Sequence, residues 1–457
     1  MLYHFLEFFE EKYHHNKYKE EKKMKRTLVK ELNALVGGLV RLSGFVQSIR
    51  DQKRMQFVIL RDYTGHIQIS HEKGDKEDQI KKIISSLTTE SAITVIGHVV
   101  ENKNVKLSGV EVIAESIDIS SIATVPLPIR ADSSLDLQMD WRILSLRKPE
   151  NLLVFQIQTT MEQAMREFWM NNDFIEIHSP KLMATASESG AELFQLEYFG
   201  QKANLAQSPQ FYKQMAMASG FDRIFEIAPV FRANPSFTSR HDTEFTSIDM
   251  EISWIDSHED LMHIEEIWLH HVIQKVLEKH GKAITDNFRV EVKVPELPFP
   301  KITLDKAREI LINHGHKMDH IIDLDPSGEK GLADYIKNEF GHEFVFVTDY
   351  PINIRPFYHM RYTDNSSITK SFDLLWKGLE ITTGAQREHR VKILEQQAYE
   401  KGLSLISLEH YMNFFRYGCP PHGGLGVGLT RLLMVLLNRK NVREVTYLYR
   451  GPNRLTP

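Results

Sequence analysis

From residue 39 to residue 121 the chain alternates apolar and polar positions in short runs. They are Val40-Arg-Leu-Ser-Gly-Phe-Val, Gln56-Phe-Val-Ile-Leu-Arg, His66-Ile-Gln-Ile-Ser, Ala92-Ile-Thr-Val-Ile-Gly-His-Val-Val and Val110-Glu-Val-Ile-Ala. A side-chain period of two in segments rich in β-branched residues predicts five strands. Between the third and fourth, Ile80, Ile83, Ile84 and Leu87 recur at helical spacing, and Asp75 stands where it would cap a helix over 75–87. Five strands interrupted by one helix predict an OB-fold barrel, a common platform for single-stranded nucleic acid.

Beyond residue 121 the pattern changes. Pro126-Leu-Pro and Ala131-Asp-Ser-Ser are loop chemistry, so residues 122–146 read as a hinge. Apolar residues at Leu152, Val154, Phe155, Ile157, Met161, Ala164, Met165 and Phe168 then predict one long helix over 151–172. Phe174-Ile-Glu-Ile-His-Ser-Pro-Lys-Leu-Met follows as a strand broken by Pro180, which cannot donate to a ladder and so suits an edge or an interface. Helices over 258–280, 304–314 and 331–340, a buried strand from Phe344 and an apolar helix over 432–437 complete an α+β region. The expected division is an extension over 1–23, a barrel domain over 24–121, the hinge, and a second domain over 147–457. Residues 1–23 are rich in Lys, Glu, Tyr and His, and Met24 is the expected translation start.

Composition narrows the class. With 42% hydrophobic and 26% charged residues the chain reads as a soluble globular protein. Its 457 residues exceed one core. A net charge of -5 argues against a generally basic coat protein, yet residues 22–54 hold nine Lys/Arg against two acids. One cysteine, Cys419, excludes an intrachain disulfide and a thiolate zinc cluster. No apolar run approaches the ~20 residues that span a bilayer, and the first residues lack the pattern of a secretory signal; a cytoplasmic, membrane-free protein is expected.

Three stretches carry candidate chemistry. The first is Phe231-Arg-Ala-Asn-Pro-Ser-Phe-Thr-Ser-Arg-His-Asp-Thr-Glu-Phe, read as strand, loop and strand. Arg232, Arg240 and His241 near the loop ends could hold phosphates, and Phe245 offers a flat face to a purine; a hairpin with a solvated charged loop is the bland alternative. The second is Ser371-Phe-Asp-Leu-Leu-Trp-Lys-Gly-Leu-Glu-Ile. Asp373 and Glu380 are an odd seven apart, so only a turn near Lys377-Gly378 brings both to one site, where two carboxylates suit Mg²⁺; two surface acids are the alternative. The third is Gly424, Gly426 and Gly428 alternating before Arg431, where absent side chains would let a planar ligand lie on the backbone.

In chain order the segment around Pro180, the Phe231 stretch and the glycine stretch ending at Arg431 resemble motifs 1, 2 and 3 of the class II aminoacyl-tRNA synthetases, with Asp373 and Glu380 between the last two, and the chain from Val40 to Pro457 is similar to the aspartyl enzymes of the archaeal and eukaryotic type. The resemblance implies a barrel that binds the anticodon and a catalytic domain with an antiparallel sheet flanked by helices. Phe57 would stack on an anticodon base, with Arg50, Lys53 and Arg54 beside it. Motif 1, with Pro180, implies a homodimer interface. Glu188 would lie near the ammonium group of the amino acid. Lys213 would meet the aspartate side chain with Gln210 nearby and Asp249 holding the lysine, and Arg387 would read the same carboxylate. Arg232 would grip the α-phosphate and the carboxylate of the amino acid, Arg240 and His241 the outer phosphates, and Arg431 the γ-phosphate, with Phe245 and Gly428 at the adenine. Mg²⁺ would be held by Asp373, Glu380 and the hydroxyl of Thr383. ATP, L-aspartate and tRNA are the implied substrates, with aspartate tRNA expected and asparagine tRNA left open. Asparaginyl relatives lack a lysine at the position of Lys213.

Three departures accompany the resemblance. Asn234, Thr430 and Gly451 stand where the family usually has acids, while every arginine and both metal carboxylates remain. That pattern resembles an active but divergent paralogue. Two other classes stay open: an adenylate-forming enzyme that passes aspartate to a small acceptor such as ammonia, and a non-catalytic RNA-binding paralogue.

Overall fold

The structure is a computed structural model that describes residues 24–75, 78–107, 109–184, 192–235, 238–317 and 322–457. The extension over 1–23 and Glu188 lie outside them. The chain divides into two compact units, one running to residue 134 and including 143–149, the other comprising 135–142 and 150–457.

The first unit is a closed five-stranded barrel. Strands β1 (Leu39–Asp51), β2 (Met55–Asp62), β3 (Gly65–Glu72), β4 (Ala92–Glu101) and β5 (Val110–Ser121) close in the order β1-β2-β3-β5-β4. Alternate residues point inward: Val40, Leu42 and Val46 from β1, Val58 and Leu60 from β2, Ile67 and Ile69 from β3, all buried. Helix α1 (Gln79–Ser86) starts later than expected, and its cap is Asp78 rather than Asp75. Asp78 accepts from Lys81 N at 2.9 Å, and its other oxygen is taken by Gly74 N at 2.8 Å and His71 Nε2 at 2.7 Å. The two acids look alike in sequence, and this local network selects between them.

The second unit is built on an eight-stranded sheet. Its strands are β6 (Ile175–Glu176), β10 (Arg223–Phe231), β11 (Glu244–Ser253), β12 (Lys301–Thr303), β13 (Phe344–Thr348), β14 (Ser371–Trp376), β15 (Leu379–Arg387) and β16 (His422–Gly428). Their order is β12-β13-β14-β15-β16-β11-β10-β6. The six central strands pair antiparallel, whereas both edge strands, β12 and β6, pair in parallel, so the sheet is mixed rather than purely antiparallel. A small sheet of β7 (Leu182–Met183), β8 (Gln195–Tyr198) and β9 (Gln201–Leu205) lies outside it.

Helices α2 (Pro149–Asn171) and α4 (His258–Phe288) cover one face of the sheet, and with the apolar α7 (Leu429–Leu436) they close the main core. Trp169 stacks on Trp268 there, with ring centroids 5.0 Å apart. The opposite face carries the cleft described below. Helix α3 (Gln210–Ala218) borders it, while α5 (Leu304–Asn313) and α6 (Pro326–Phe340) buttress the β12–β14 end. The long motif over 174–183 yields only β6 and β7, with Pro180 exposed between them. No helix among the described residues is long and apolar enough to cross a membrane.

Candidate active site

A cleft of about 320 Å³ opens between the β10–β11 loop, β11, β15, β16 and the first turn of α3. Its inner end is built by strand periodicity. Ser247, Asp249 and Glu251 alternate along β11 and project to one side, and β16 sets Gly428, Gly426 and Gly424 directly across from them. A Cβ on Gly424 would lie 2.1 Å from Glu251 Oε2, and one on Gly426 would lie 3.1 Å from Asp249 Oδ1. The first two glycines therefore clear space for protein carboxylates, and only Gly428 faces the outer part of the cleft.

Those carboxylates hold two buried cations. Lys213, 1% exposed, lies on α3 with its Nζ 2.8 Å from Asp249 Oδ1 and 3.4 Å from Glu251 Oε2. It also donates to Leu425 O at 3.1 Å. Ser247 Oγ donates to the second oxygen of Asp249 at 2.6 Å. Arg387, at the end of β15, donates from Nε to Glu251 Oε1 at 2.9 Å and from Nη2 to Gly424 O at 3.0 Å. Its Nη1 donates to His359 Nε2 at 3.1 Å, which fixes that imidazole as neutral with its proton on Nδ1. Burial, then the charge of Arg387, holds His359 well below the ordinary histidine range. For Glu251, burial alone would raise the pKa, but Arg387 and Lys213 outweigh it and hold the carboxyl low. The result is a pocket with two cations and two anions, and Gln210 lines its wall.

The outer end is formed by the β10–β11 loop. Arg232 follows β10, and its guanidinium lies 5.4 Å from the ring centre of Phe245 at the start of β11. Across the cleft, Arg431 in the first turn of α7 donates to the carbonyl of Glu380 at 2.9 Å and reaches its carboxylate at 3.3 Å. Arg240 pairs with Glu329 of α6 at 2.7 Å, and His241 Nδ1 lies 2.6 Å from Thr238 Oγ1. Burial raises Glu329 to about 7 and Asp242, which also lines the cleft, to about 7. The wall is thus rich in arginine, with acids held back from full charge.

Asp373 and Glu380 are joined by the turn at Lys377-Gly378, both at positive φ (50° and 78°). A register shift opposite Leu374 and Leu375 inserts a bulge, so Glu380 and Thr383 reach each other despite their spacing, Thr383 Oγ1 donating to Glu380 Oε1 at 3.4 Å. Both residues line the cleft. Asp373 does not. It is buried, and Arg355 Nη2 donates to its Oδ2 at 2.6 Å. The arrangement therefore separates the three oxygen donors of the sequence reading into two at the cleft and one behind Arg355. Among the described residues no group of three His, Cys, Asp or Glu side chains could hold a metal by itself.

In the barrel, Arg50 and Phe57 are cross-strand partners, the guanidinium 5.5 Å from the ring centre, with Arg50 also donating to Gln68 Oε1 at 2.9 Å. Lys53 and Arg54 are exposed in the adjoining turn. Glu251, Arg355, His359, Glu329 and Asp242 escaped sequence reasoning. For Glu251 a signal existed, since it stands two residues from Asp249 on a strand; the others come from distant segments and meet only through the fold.

Comparisons with known proteins bear on this geometry. Residues 134–450 match the family described as tRNA synthetases class II (D, K and N), and residues 40–119 match the OB-fold nucleic acid binding domain. The chain is 41% identical over 434 residues to the aspartate–tRNA(Asp) ligase of Pyrococcus furiosus, covering 94% of this chain and 98% of that one. It is 39% identical over 436 residues to the aspartate–tRNA(Asp/Asn) ligase of Aeropyrum pernix, with the same coverage. The crystal structure of asparaginyl-tRNA synthetase from Pyrococcus horikoshii complexed with asparaginyl-adenylate superposes with a TM-score of 0.88 at 30% identity, covering 95% of this chain and all of that one (100%).

Proposed function

The chain belongs to the class II tRNA synthetases of the D, K and N group, and from that membership we propose how its cleft works. It is an aspartate–tRNA ligase: ATP and L-aspartate give aspartyl-adenylate and pyrophosphate, and the aspartyl group passes to the 3′ end of tRNA. The observation that carries the choice of amino acid is the buried quartet of Lys213, Arg387, Asp249 and Glu251. The fold is shared with an asparaginyl enzyme, so it cannot discriminate. Two buried cations at the inner end can: they meet the β-carboxylate of aspartate with charge-assisted contacts, whereas a neutral amide forfeits that charge assistance and turns its NH₂ donors toward donors, a loss of about 2–4 kcal/mol.

Catalysis in this reading is alignment and charge neutralisation, with no side-chain nucleophile. The α-carboxylate of aspartate attacks the α-phosphorus, the bond to the bridging oxygen breaks, and pyrophosphate leaves. Arg232 grips the α-phosphate while adenine lies between Phe245 and Arg431. Arg240 and His241 face the outer phosphates. Glu188 is proposed at the substrate ammonium group. Hard oxygen donors at Glu380 and Thr383 fit Mg²⁺, which keeps waters and takes further ligands from phosphates, so a two-donor site is sufficient. When bound, Mg²⁺ would neutralise charge on the outer phosphates. Asp373 would act on this site through Arg355.

The barrel and its Arg50–Phe57 face support tRNA as acceptor over a small amine. Aspartate tRNA is the proposed partner, and the choice between it and a dual Asp/Asn range rests on the anticodon loop contacts. A homodimer through the segment around Pro180 is proposed because edge strand β6 carries the exposed Ile175, with Met170 and Leu182 exposed nearby. The protein is proposed to act in the cytoplasm. The test is aspartate-dependent pyrophosphate exchange followed by charging of purified tRNA. Exchange without charging would favour the small-acceptor enzyme, and absence of exchange would favour the RNA-binding paralogue.

A further inference from the structure

Beside the outer-phosphate end of the cleft lies a second cavity of about 320 Å³. Five cations line it, Arg240, Lys330, Lys377, Arg439 and Lys440, and no carboxylate does among the described residues. Arg240 borders both spaces. So does the start of β15, where Leu379 lines the cavity and its neighbour Glu380 lines the cleft.

The walls are fixed. Val442 N donates to Ser239 O at 2.9 Å, tying the end of the β10–β11 loop to the segment after α7. The Lys377-Gly378 turn packs so tightly on α6 that a Cβ on Gly378 would lie 2.8 Å from Lys330 Cα. Three of the cations have an acidic partner: Arg240 with Glu329 at 2.7 Å, Lys377 with Glu343 at 3.2 Å and Arg439 with Glu444 at 3.4 Å. Lys330 and Lys440 are exposed and have none among the described residues. Two uncompensated ammonium groups thus face a space that adjoins the place where phosphates are expected.

We propose that this cavity is a receiving site for inorganic pyrophosphate, with Arg240 passing the anion from the cleft to Lys330 and Lys440. This rests on the reading above that the reaction releases pyrophosphate past Arg240. A compact, highly charged anion fits a short cluster of point charges better than one phosphate of an RNA backbone, which uses the same oxyanion chemistry over a longer track. Lysines suit a transit site because they attract without the bidentate grip that would trap the anion.

The experiment fills the cleft of the full-length protein with aspartate and α,β-methylene-ATP, then measures binding of labelled inorganic pyrophosphate by equilibrium dialysis. The wild type is expected to bind pyrophosphate with the cleft occupied, and Lys330→Ala/Lys440→Ala to bind it about tenfold more weakly. In exchange assays the same variant should show a raised KM for pyrophosphate with KM for ATP and aspartate unchanged. No pyrophosphate binding once the cleft is filled overturns the proposal. So does binding that the two substitutions leave untouched, or a variant defective only in KM for tRNA. Failure of the ligase reading is seen separately, as absence of aspartate-dependent exchange in the wild type, whereas failure of the cavity shows as normal exchange with no pyrophosphate binding that depends on Lys330 and Lys440.

Discussion

Glu251→Gln tests whether the amino-acid pocket works by geometry or by charge count. The glutamate is fully buried (0% exposed) and its two oxygens share three contacts: Arg387 Nε at 2.9 Å, Arg387 Nη2 at 3.4 Å and Lys213 Nζ at 3.4 Å. The amide is nearly isosteric and can still accept from Arg387 Nε. Its NH₂ group, however, would face the other two donors, so two charge-assisted contacts are lost. Each is worth about 1.5–3 kcal/mol, part of which appears as stability and part as misplacement of the cations. Taking about 2–4 kcal/mol at the site, kcat/KM for aspartate should fall by roughly thirtyfold to several hundredfold. Charge counting predicts the reverse, because removing one anion beside two cations makes the pocket more attractive to a substrate carboxylate. Steady-state pyrophosphate exchange with aspartate and ATP varied separately distinguishes them. An unchanged or lowered KM for aspartate would refute the geometric account, as would an equal rise in KM for ATP.

Lys213→Leu should abolish aspartate activation while ATP binding, followed by dye displacement or calorimetry, stays close to wild type; activation of aspartate at more than a tenth of the normal rate contradicts it. Glu380→Gln should raise the Mg²⁺ concentration for half-maximal exchange far more than Asp373→Asn, since only Glu380 lines the cleft, and a reversed order would return Asp373 to the metal. Glu265 on α4 is buried, and burial first, then Asp373, raises its pKa from 4.5 to about 8. The folded state therefore holds more protons than the unfolded chain between those values, and stability falls as pH rises through that window, by at most about 5 kcal/mol. Glu265→Gln should flatten this slope, so thermal unfolding from pH 5 to 9 that runs parallel in the two proteins rules the assignment out.

Much of the fold was legible because one face of each element is buried and the other is not. The barrel strands and α2 follow directly from period-two and helical spacing. The site was legible only where chemistry sits at a motif. Lys213 and Arg387 lie 174 residues apart, and nothing local shows that Glu251 joins them. The glycine alternation was seen, but its reason lies on the neighbouring strand, where Asp249 and Glu251 fill the space. Asp373 and Glu380 read as equivalent because sequence does not display a bulge, nor an arginine such as Arg355 that takes one carboxylate out of the cleft.

The three missing acids are not equivalent in the structure, and this yields the last prediction. Asn234 lines the cleft with Arg232 and Arg240, where an added carboxylate would meet guanidinium groups. Thr430 borders the same two cavities as Asp242, so an acid there would face an existing one that burial already raises to about 7. At Gly451 a Cβ would lie 2.4 Å from Tyr449 Oη and 2.7 Å from two of its ring carbons. Tyr449 is buried and donates to His241 O at 3.2 Å, so it supports the loop proposed to face the outer phosphates. Gly451 is therefore matched to Tyr449 rather than lost by drift. Gly451→Asp should destabilise the protein by about 1–3 kcal/mol through overpacking and slow exchange with it. Tyr449→Ala costs stability of its own by emptying a buried site, but in that background Gly451→Asp should cost much less than it does beside the intact tyrosine. Asn234→Glu, at a half-buried position lining the cleft, should lower the unfolding temperature less than Gly451→Asp does and speed whichever step the departure slows. If Gly451→Asp is as stable as wild type, tyrosine and glycine are not co-adapted, and the structural distinction among the three positions fails.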